Sequence, residues 1–143
     1  MTRYLLPLAA TLTISGCAIH QKISPVSELQ VKQICVIENP AVREGFLSTY
    51  RLTLAEKGYD VRVISKLASS SDCPITSTYT ANWRWDLALY LAYAEIKVYD
   101  GGKLAGEAVY DALSGGANLN KFIRGEEKIK ELVNELFPRR AGQ

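Results

Sequence analysis

Hydrophobic and polar positions change period several times along this chain, and each change marks an element. Val31-Lys32-Gln33-Ile34-Cys35-Val36-Ile37 is β-branched and nearly continuous in its apolar end, which predicts a buried strand. Asn39-Pro40 follows, a helix-capping residue with proline at the first helical position. Val42, Phe46, Tyr50 and Leu54, with Leu47, then recur at helical spacing, and Gly58 stops the run. Tyr59 to Ile64 alternates, with Tyr59, Val61 and Val63 on one side and Asp60, Arg62 and Ile64 on the other. Strand, helix and strand of these lengths predict a βαβ unit with a right-handed crossover.

The second half reads differently. Lys66 to Asp72, with Ser69-Ser70-Ser71, is a predicted loop. Thr76 to Trp85 is rich in threonine and aromatics, as strands are. In Tyr90 to Tyr99, Ala92, Ala94, Ile96 and Val98 share one side, and Glu95 and Lys97 the other. Asp100-Gly101-Gly102-Lys103 is a hairpin signal, because glycine supplies the positive φ such turns need. Leu104 to Asp111 is the return strand, and Ser114-Gly115-Gly116-Ala117-Asn118 a loop. Ile129, Leu132, Val133, Leu136 and Phe137 form the apolar stripe of a last helix. Glu126, Glu127, Lys130 and Glu131 fall on its wet face, and Pro138 ends it. The order β-α-β, antiparallel meander, α predicts an α+β domain: a single mixed sheet of about five strands with the helices packed on one face.

Ahead of this domain the pattern is that of an exported protein. Arg3 supplies a positive head, Tyr4 to Thr13 is mostly apolar, and Ile14-Ser15-Gly16-Cys17 closes the stretch. This layout predicts a secretory signal peptide, too short for a stable membrane-spanning helix. Ile14, Ser15, Gly16 and Cys17 resemble the bacterial lipobox, in which the small residues let the chain enter a signal peptidase and the thiol receives a diacylglycerol. An ordinary signal peptide with an incidental cysteine is the plainer alternative. The expected organisation is a signal peptide over 1–16, a lipidated N-terminus and flexible tether over 17–30, one domain over 31–138 and a tail over 139–143. An edge strand within the tether is the alternative there. Ala18 stands where, in the enteric pattern, an aspartate retains lipoproteins in the inner membrane. The expected location is therefore the outer membrane, lipid-anchored on its periplasmic face.

Charge and cysteine content narrow the partners. Removing residues 1–16 from 143 leaves 127, and removing Arg3 leaves 16 basic residues against 15 acidic. So flat a balance argues against nucleic acid, which needs a concentrated basic surface. Membrane attachment is expected through acyl chains at Cys17 instead. With Cys17 acylated, Cys35 and Cys73 remain in an oxidising compartment and are candidates for a disulfide, two buried thiols being the alternative. The single histidine, His20, lies beside the lipidation site, which disfavours a Ser/His or Cys/His catalytic centre or a metal site. Glu38, Asp86, Glu95 and Asp111 are carboxylates of the right type for acid–base work, but no spacing singles out a pair. Neither Gly101-Gly102 nor Gly115-Gly116 opens a phosphate-binding fingerprint. No catalytic residue, cofactor or metal is expected.

The densest feature is Thr76 to Asp86. On a strand, Tyr79, Ala81, Trp83 and Trp85 face one way, and Thr78, Thr80, Asn82, Arg84 and Asp86 the other. The aromatic side is expected to be core for both tryptophans. The competing reading makes Tyr79, Trp83, Arg84 and Trp85 an interaction surface, extended by Tyr90, Tyr93, Tyr99 and Tyr110.

Three segments carry a family likeness: Ile37-Glu38-Asn39-Pro40-Ala41-Val42-Arg43-Glu44-Gly45-Phe46, Cys73-Pro74-Ile75-Thr76-Ser77-Thr78-Tyr79-Thr80-Ala81-Asn82-Trp83 and Gly106-Glu107-Ala108-Val109-Tyr110-Asp111. They resemble the Sbal family of small proteobacterial lipoproteins. The resemblance implies lipoprotein status and placement in a Gram-negative envelope, and it brings no catalytic residue with it. The expected function is a non-enzymatic interaction or auxiliary module with an envelope protein partner. A binder or carrier of a small amphiphile, using a pocket between sheet and helices, is the alternative.

Overall fold

A computed structural model describes residues 18–27, 29–66 and 72–139. The lipobox residues Ile14, Ser15, Gly16 and Cys17 lie outside the described residues, as do the serine run 69–71 and the last four positions. In chain order the elements are β1 (His20–Ser24), β2 (Gln33–Ile37), α1 (Glu44–Glu56), β3 (Asp60–Ile64), β4 (Ile75–Asp86), β5 (Ala88–Asp100) and β6 (Lys103–Asp111). A 3-10 turn (Leu119–Phe122) and α2 (Gly125–Leu136) are the last elements among the described residues. All six strands join one mixed sheet in the order β1-β6-β5-β4-β2-β3. β2 runs parallel to both β3 and β4, and the other pairs are antiparallel.

The expected βαβ start and meander are present, and the sixth strand comes from the segment expected to be a leash. Residues His20–Ser24 pair with Asp111–Glu107 as an edge strand. The chain beyond it packs too: Val26 and Leu29 are buried in the core, and the Val26 N–H donates to the Leu136 carbonyl at 2.9 Å. Gly106 makes that crossing feasible. A Cβ there would lie 2.6 Å from Val26 Cγ2 and 3.0 Å from the Ser24 carbonyl oxygen. The polar composition of residues 18–30 hid these few apolar anchors. Folding gives them a surface that only the assembled sheet and α2 provide.

The start of α1 also differs. Asn39-Pro40 forms a turn rather than the cap, with Asn39 Oδ1 accepting from the Ala41 N–H at 3.1 Å, and the helix opens at Glu44. Asn39 is held instead by Tyr79: its N–H donates to the phenol oxygen and its side-chain amide to the carbonyl, both at 3.1 Å. At the other end Gly58, at φ 87°, closes α1 with bonds from Gly58 N–H to Ala55 and Tyr59 N–H to Leu54, a Schellman arrangement.

Both helices cover the same face. Phe46, Tyr50 and Leu54 of α1 and Ile129, Leu132, Val133 and Leu136 of α2 meet Ile34, Val36, Ile75, Tyr79, Ala94, Ile96 and Val98 of the sheet. One polar chain crosses this core. Ser77 donates to the Lys97 carbonyl at 2.9 Å, so its oxygen accepts from the Tyr50 hydroxyl at 2.7 Å. Burial holds the Tyr50 phenol far above its ordinary value, although the Ser77 bond lowers it. On the opposite face Cys35 and Cys73 form a disulfide with Cα atoms 6.0 Å apart, buried beside Ile64 and Ile37. Away from the disulfide that face is mostly polar, with Thr76, Thr78 and Thr80 of β4 opposite Tyr99, Lys97 and Glu95 of β5, while β6 adds Val109 and Leu104.

Candidate functional site

The β4–β5 hairpin outruns the sheet. β2 pairs with β4 only at Thr76 and Ser77, and β6 stops where Asp111 meets Tyr93. Pairing between β4 and β5 nevertheless continues to Asp86 and Ala88, leaving a two-stranded arm that turns at Leu87. A bulge between Asn82 and Trp83 leaves Ala92 without a partner across β4. Its carbonyl accepts instead from the Ala112 N–H at 2.8 Å. The extra residue switches which β5 side chains share a face with Tyr79, Ala81 and Trp83. Before it these are Ala94, Ile96 and Val98; after it they are Leu91 and Leu89.

Alternation places Trp83 and Trp85 on one face, but cover ends between them. Trp83 is half-buried, edge-on to Phe46 at 6.5 Å, with the Arg43 guanidinium 5.8 Å from its ring centroid. It also lies against the first turn of α2, where a Cβ on Gly125 would be 3.3 Å from its indole nitrogen. Trp85 is 71% exposed, Leu87 at the turn 87% and Leu89 opposite Trp85 52%. The expectation that both tryptophans are core therefore holds for Trp83 in part and fails for Trp85, because no helix extends over the arm's end.

The arm is braced from one side by the 3-10 turn. Lys121 is buried, and its ammonium donates to Asp86 Oδ2 and the Gly116 carbonyl while lying 5.1 and 5.2 Å from the Tyr90 and Phe122 ring centroids. Asp86 is thus ion-paired at the tip. Leu119 of the same turn is 76% exposed, and Leu113 is also exposed. β1 ends here as well. His20 pairs with Asp111, so the chain leading back to Ala18 leaves the sheet at the end from which the arm projects.

Of the expected interaction surface, then, Arg84 and Trp85 are exposed on the arm. Tyr79 is buried and holds Asn39; Tyr90 and Tyr110 are buried, and Tyr93 and Tyr99 sit half-buried on the polar face. Leu87, Leu89, Leu113, Leu119 and Lys121 were not singled out by the sequence reading. The available signal was Leu87-Ala88-Leu89, an apolar turn where glycine, asparagine or aspartate is usual.

The carboxylates do not converge on a reaction centre. Glu95 pairs with Lys97 at 3.0 Å and accepts from the Tyr93 hydroxyl at 3.1 Å, and Lys97 reaches Glu107 at 3.7 Å. That pairing with Glu95 raises the Lys97 ammonium above its ordinary value. Asp111 accepts from the Leu113 N–H at 2.8 Å, a local turn. Among the described residues no three His, Cys, Asp or Glu side chains gather as a metal would require. No described helix is long and apolar enough to cross a membrane. One groove lies beside the arm, lined by Ile19, Tyr110, Leu119, Phe122, Ile123 and Lys128 among others. The Tyr110 hydroxyl is buried there without a hydrogen-bond partner among the described residues.

No protein-family model matches the chain, and no curated protein matches it. Among solved structures it is similar to the PelC dodecamer from Paraburkholderia phytofirmans, at 16% identity and a TM-score of 0.54 over 83% of this chain and 95% of that one. A single-substitution variant of that dodecamer is 12% identical, with a TM-score of 0.55 over 83% and 94%. At such identity the likeness is one of fold: this chain and the PelC subunit share an architecture.

Proposed function

We propose that this chain is a lipid-anchored protein of the bacterial envelope, held on the periplasmic face of the outer membrane. Its folded domain serves as a non-enzymatic interaction or auxiliary module. The observation that carries the reading is the lipobox, Ile14-Ser15-Gly16-Cys17, followed within three residues by the first strand at His20. A chain cut before Cys17 would leave the acylated residue next to the folded domain. Support also comes from the near-neutral charge, from Asp86, Glu95 and Asp111 being engaged by lysines or a local turn, and from an apolar arm with no cover.

Metabolic labelling with a palmitate analogue tests the anchor. Wild type takes up label, and Cys17→Ser does not. Equal labelling of the two removes the lipoprotein assignment. Crosslinking of the mature protein in its own membrane then identifies the protein partner.

A second reading, a binder of a small amphiphile, is favoured by one feature. The groove around Tyr110 combines the apolar Ile19, Leu119, Phe122 and Ile123 with the polar Asn118, Asn120 and Lys128 and an unpartnered buried hydroxyl, a mixed lining suited to an amphiphile. Native mass spectrometry of gently extracted protein would reveal such a ligand as added mass, reduced in Tyr110→Phe.

A further inference from the structure

We infer that the β4–β5 arm seats its tip, Trp85, Leu87 and Leu89, in the lipid leaflet that receives the acyl chains, so that the domain stands in a fixed orientation on the membrane. The inference rests on the proposed anchoring at Cys17 and names the partner of the exposed apolar surface. Geometry brings the two attachments to the same end of the sheet. β1 begins at His20, level with Asp111 and Tyr93, and Cys17 is three residues earlier, a reach of about 10 Å at most. From Tyr93 to Ala88 the arm advances roughly 17 Å in the same direction at about 3.4 Å per residue. A lipid attached at that end places the tip against the leaflet rather than away from it.

The chemistry of the tip fits lipid more closely than water. Tryptophan and leucine at an exposed turn are the side chains that settle at the headgroup boundary. Insertion demands that the tip carry no unpaired acidic group. Its one carboxylate, Asp86, is paired with buried Lys121, while Arg84 on the arm's other face is free to meet lipid phosphate. Leu113 and Leu119 are exposed beside the same end and widen the contact. Among the described residues the remaining exposed large apolar side chains, Leu52 on α1 and Leu104 on β6, are scattered elsewhere. Several acyl chains already suffice for firm attachment. The tip's contribution is therefore orientation: it holds the strands upright and turns the threonine- and tyrosine-lined face of the sheet sideways, open to a partner.

The test uses the full protein, processed in a Gram-negative host and reconstituted into phosphatidylethanolamine–phosphatidylglycerol vesicles with brominated acyl chains. The chain has two tryptophans, so Trp83→Phe leaves Trp85 as the single indole and Trp85→Phe leaves Trp83. Trp85 emission should shift to the blue and lose most of its intensity to bromine, with Trp83 little affected. Emission at the wavelength of a water-exposed indole, unquenched, overturns the inference. A blue shift without bromine quenching also overturns it, because the tip is then buried against protein, such as a second copy. Should Trp83→Phe fold poorly, Leu87→Cys carries a nitroxide at a fully open position. That label should be reached better by oxygen than by a water-soluble nickel chelate, and the reverse order is fatal. The mass of the N-terminal peptide from the same sample reads the anchor separately. An acylated peptide with an unquenched tip defeats tip insertion alone, and an unacylated peptide with a quenched tip defeats the anchor alone.

Discussion

Ile75 and Trp85 lie ten residues apart on one face of one strand, yet Ile75 is 2% exposed and Trp85 71%. At the base of the hairpin, Ile75, Ser77 and Tyr79 face Val98 and Ile96 under α1, with Val26 crossing beside Gly106. Toward the tip the same alternation continues through Trp83, but the helices have ended and the side chains meet solvent. The contrast teaches that period-two patterning assigns a face and says nothing about what covers it. Between the two regions stands Phe46, stacked on Tyr79 at 5.0 Å and edge-on to Trp83 at 6.5 Å.

That bridging ring is where the comparison breaks hardest. Phe46→Ala should cost about 3–5 kcal/mol in chemical denaturation, since it opens a cavity in the covered base and withdraws support from Trp83. A loss within error of zero would mean that the base is not packed as described.

Next in size is Gly106→Ala. The added methyl collides with Val26 and with the Ser24 carbonyl, so overpacking should cost about 1–3 kcal/mol. Hydrogen exchange should rise first at the Val26 amide, whose bond to Leu136 depends on that crossing. Unchanged protection at Val26 would separate the crossing from the stability of the base.

The tryptophans test the gradient itself. Trp83→Ala should lower stability by about 2 kcal/mol, as a half-buried ring loses Phe46 and the first turn of α2. Trp85→Ala should stay within about 0.5 kcal/mol of wild type in thermal melts, as an exposed side chain does. Equal losses would restore a covered tip.

The smallest effect is electrostatic and lies at the edge of the covered region. Burial pushes the Glu131 carboxyl up, but hydrogen bonds from Lys128 and Gln21 outweigh it and hold the group below its ordinary value. With the folded pKa depressed, the contribution is present above the unfolded carboxylate value and fades as pH falls through the folded one. Glu131→Gln should therefore narrow the difference in stability between neutral and acidic solution, measured by urea denaturation across that range. An unchanged difference would show that β1 is held to α2 by packing alone.

Much of this molecule is legible along the chain because the relevant physics is local. The spacing of Phe46, Tyr50 and Leu54, the stripe from Ile129 to Leu136 and the glycine pair at the β5–β6 turn each encode their element within a few residues. Gly101 and Gly102 adopt φ 55° and 83°, as a tight hairpin of this kind requires. The cysteine pair was readable by counting, and tertiary structure then joined Cys35 to Cys73.

What sequence alone could not determine were properties that depend on a second surface. His20–Ser24 becomes a strand only because β6 offers an unpaired edge, and Val26 and Leu29 become core only where that sheet meets α2. Asn39 was a cap by composition and became a tie to Tyr79 by position. Exposure of Trp85, Leu87 and Leu89 follows from where β2, β6 and both helices stop, distances that no local pattern records. Local propensity and periodicity thus determined the elements and their faces, while burial, edge pairing and the uncovered arm were decided by the assembled sheet, because each needs groups far apart in the chain to meet.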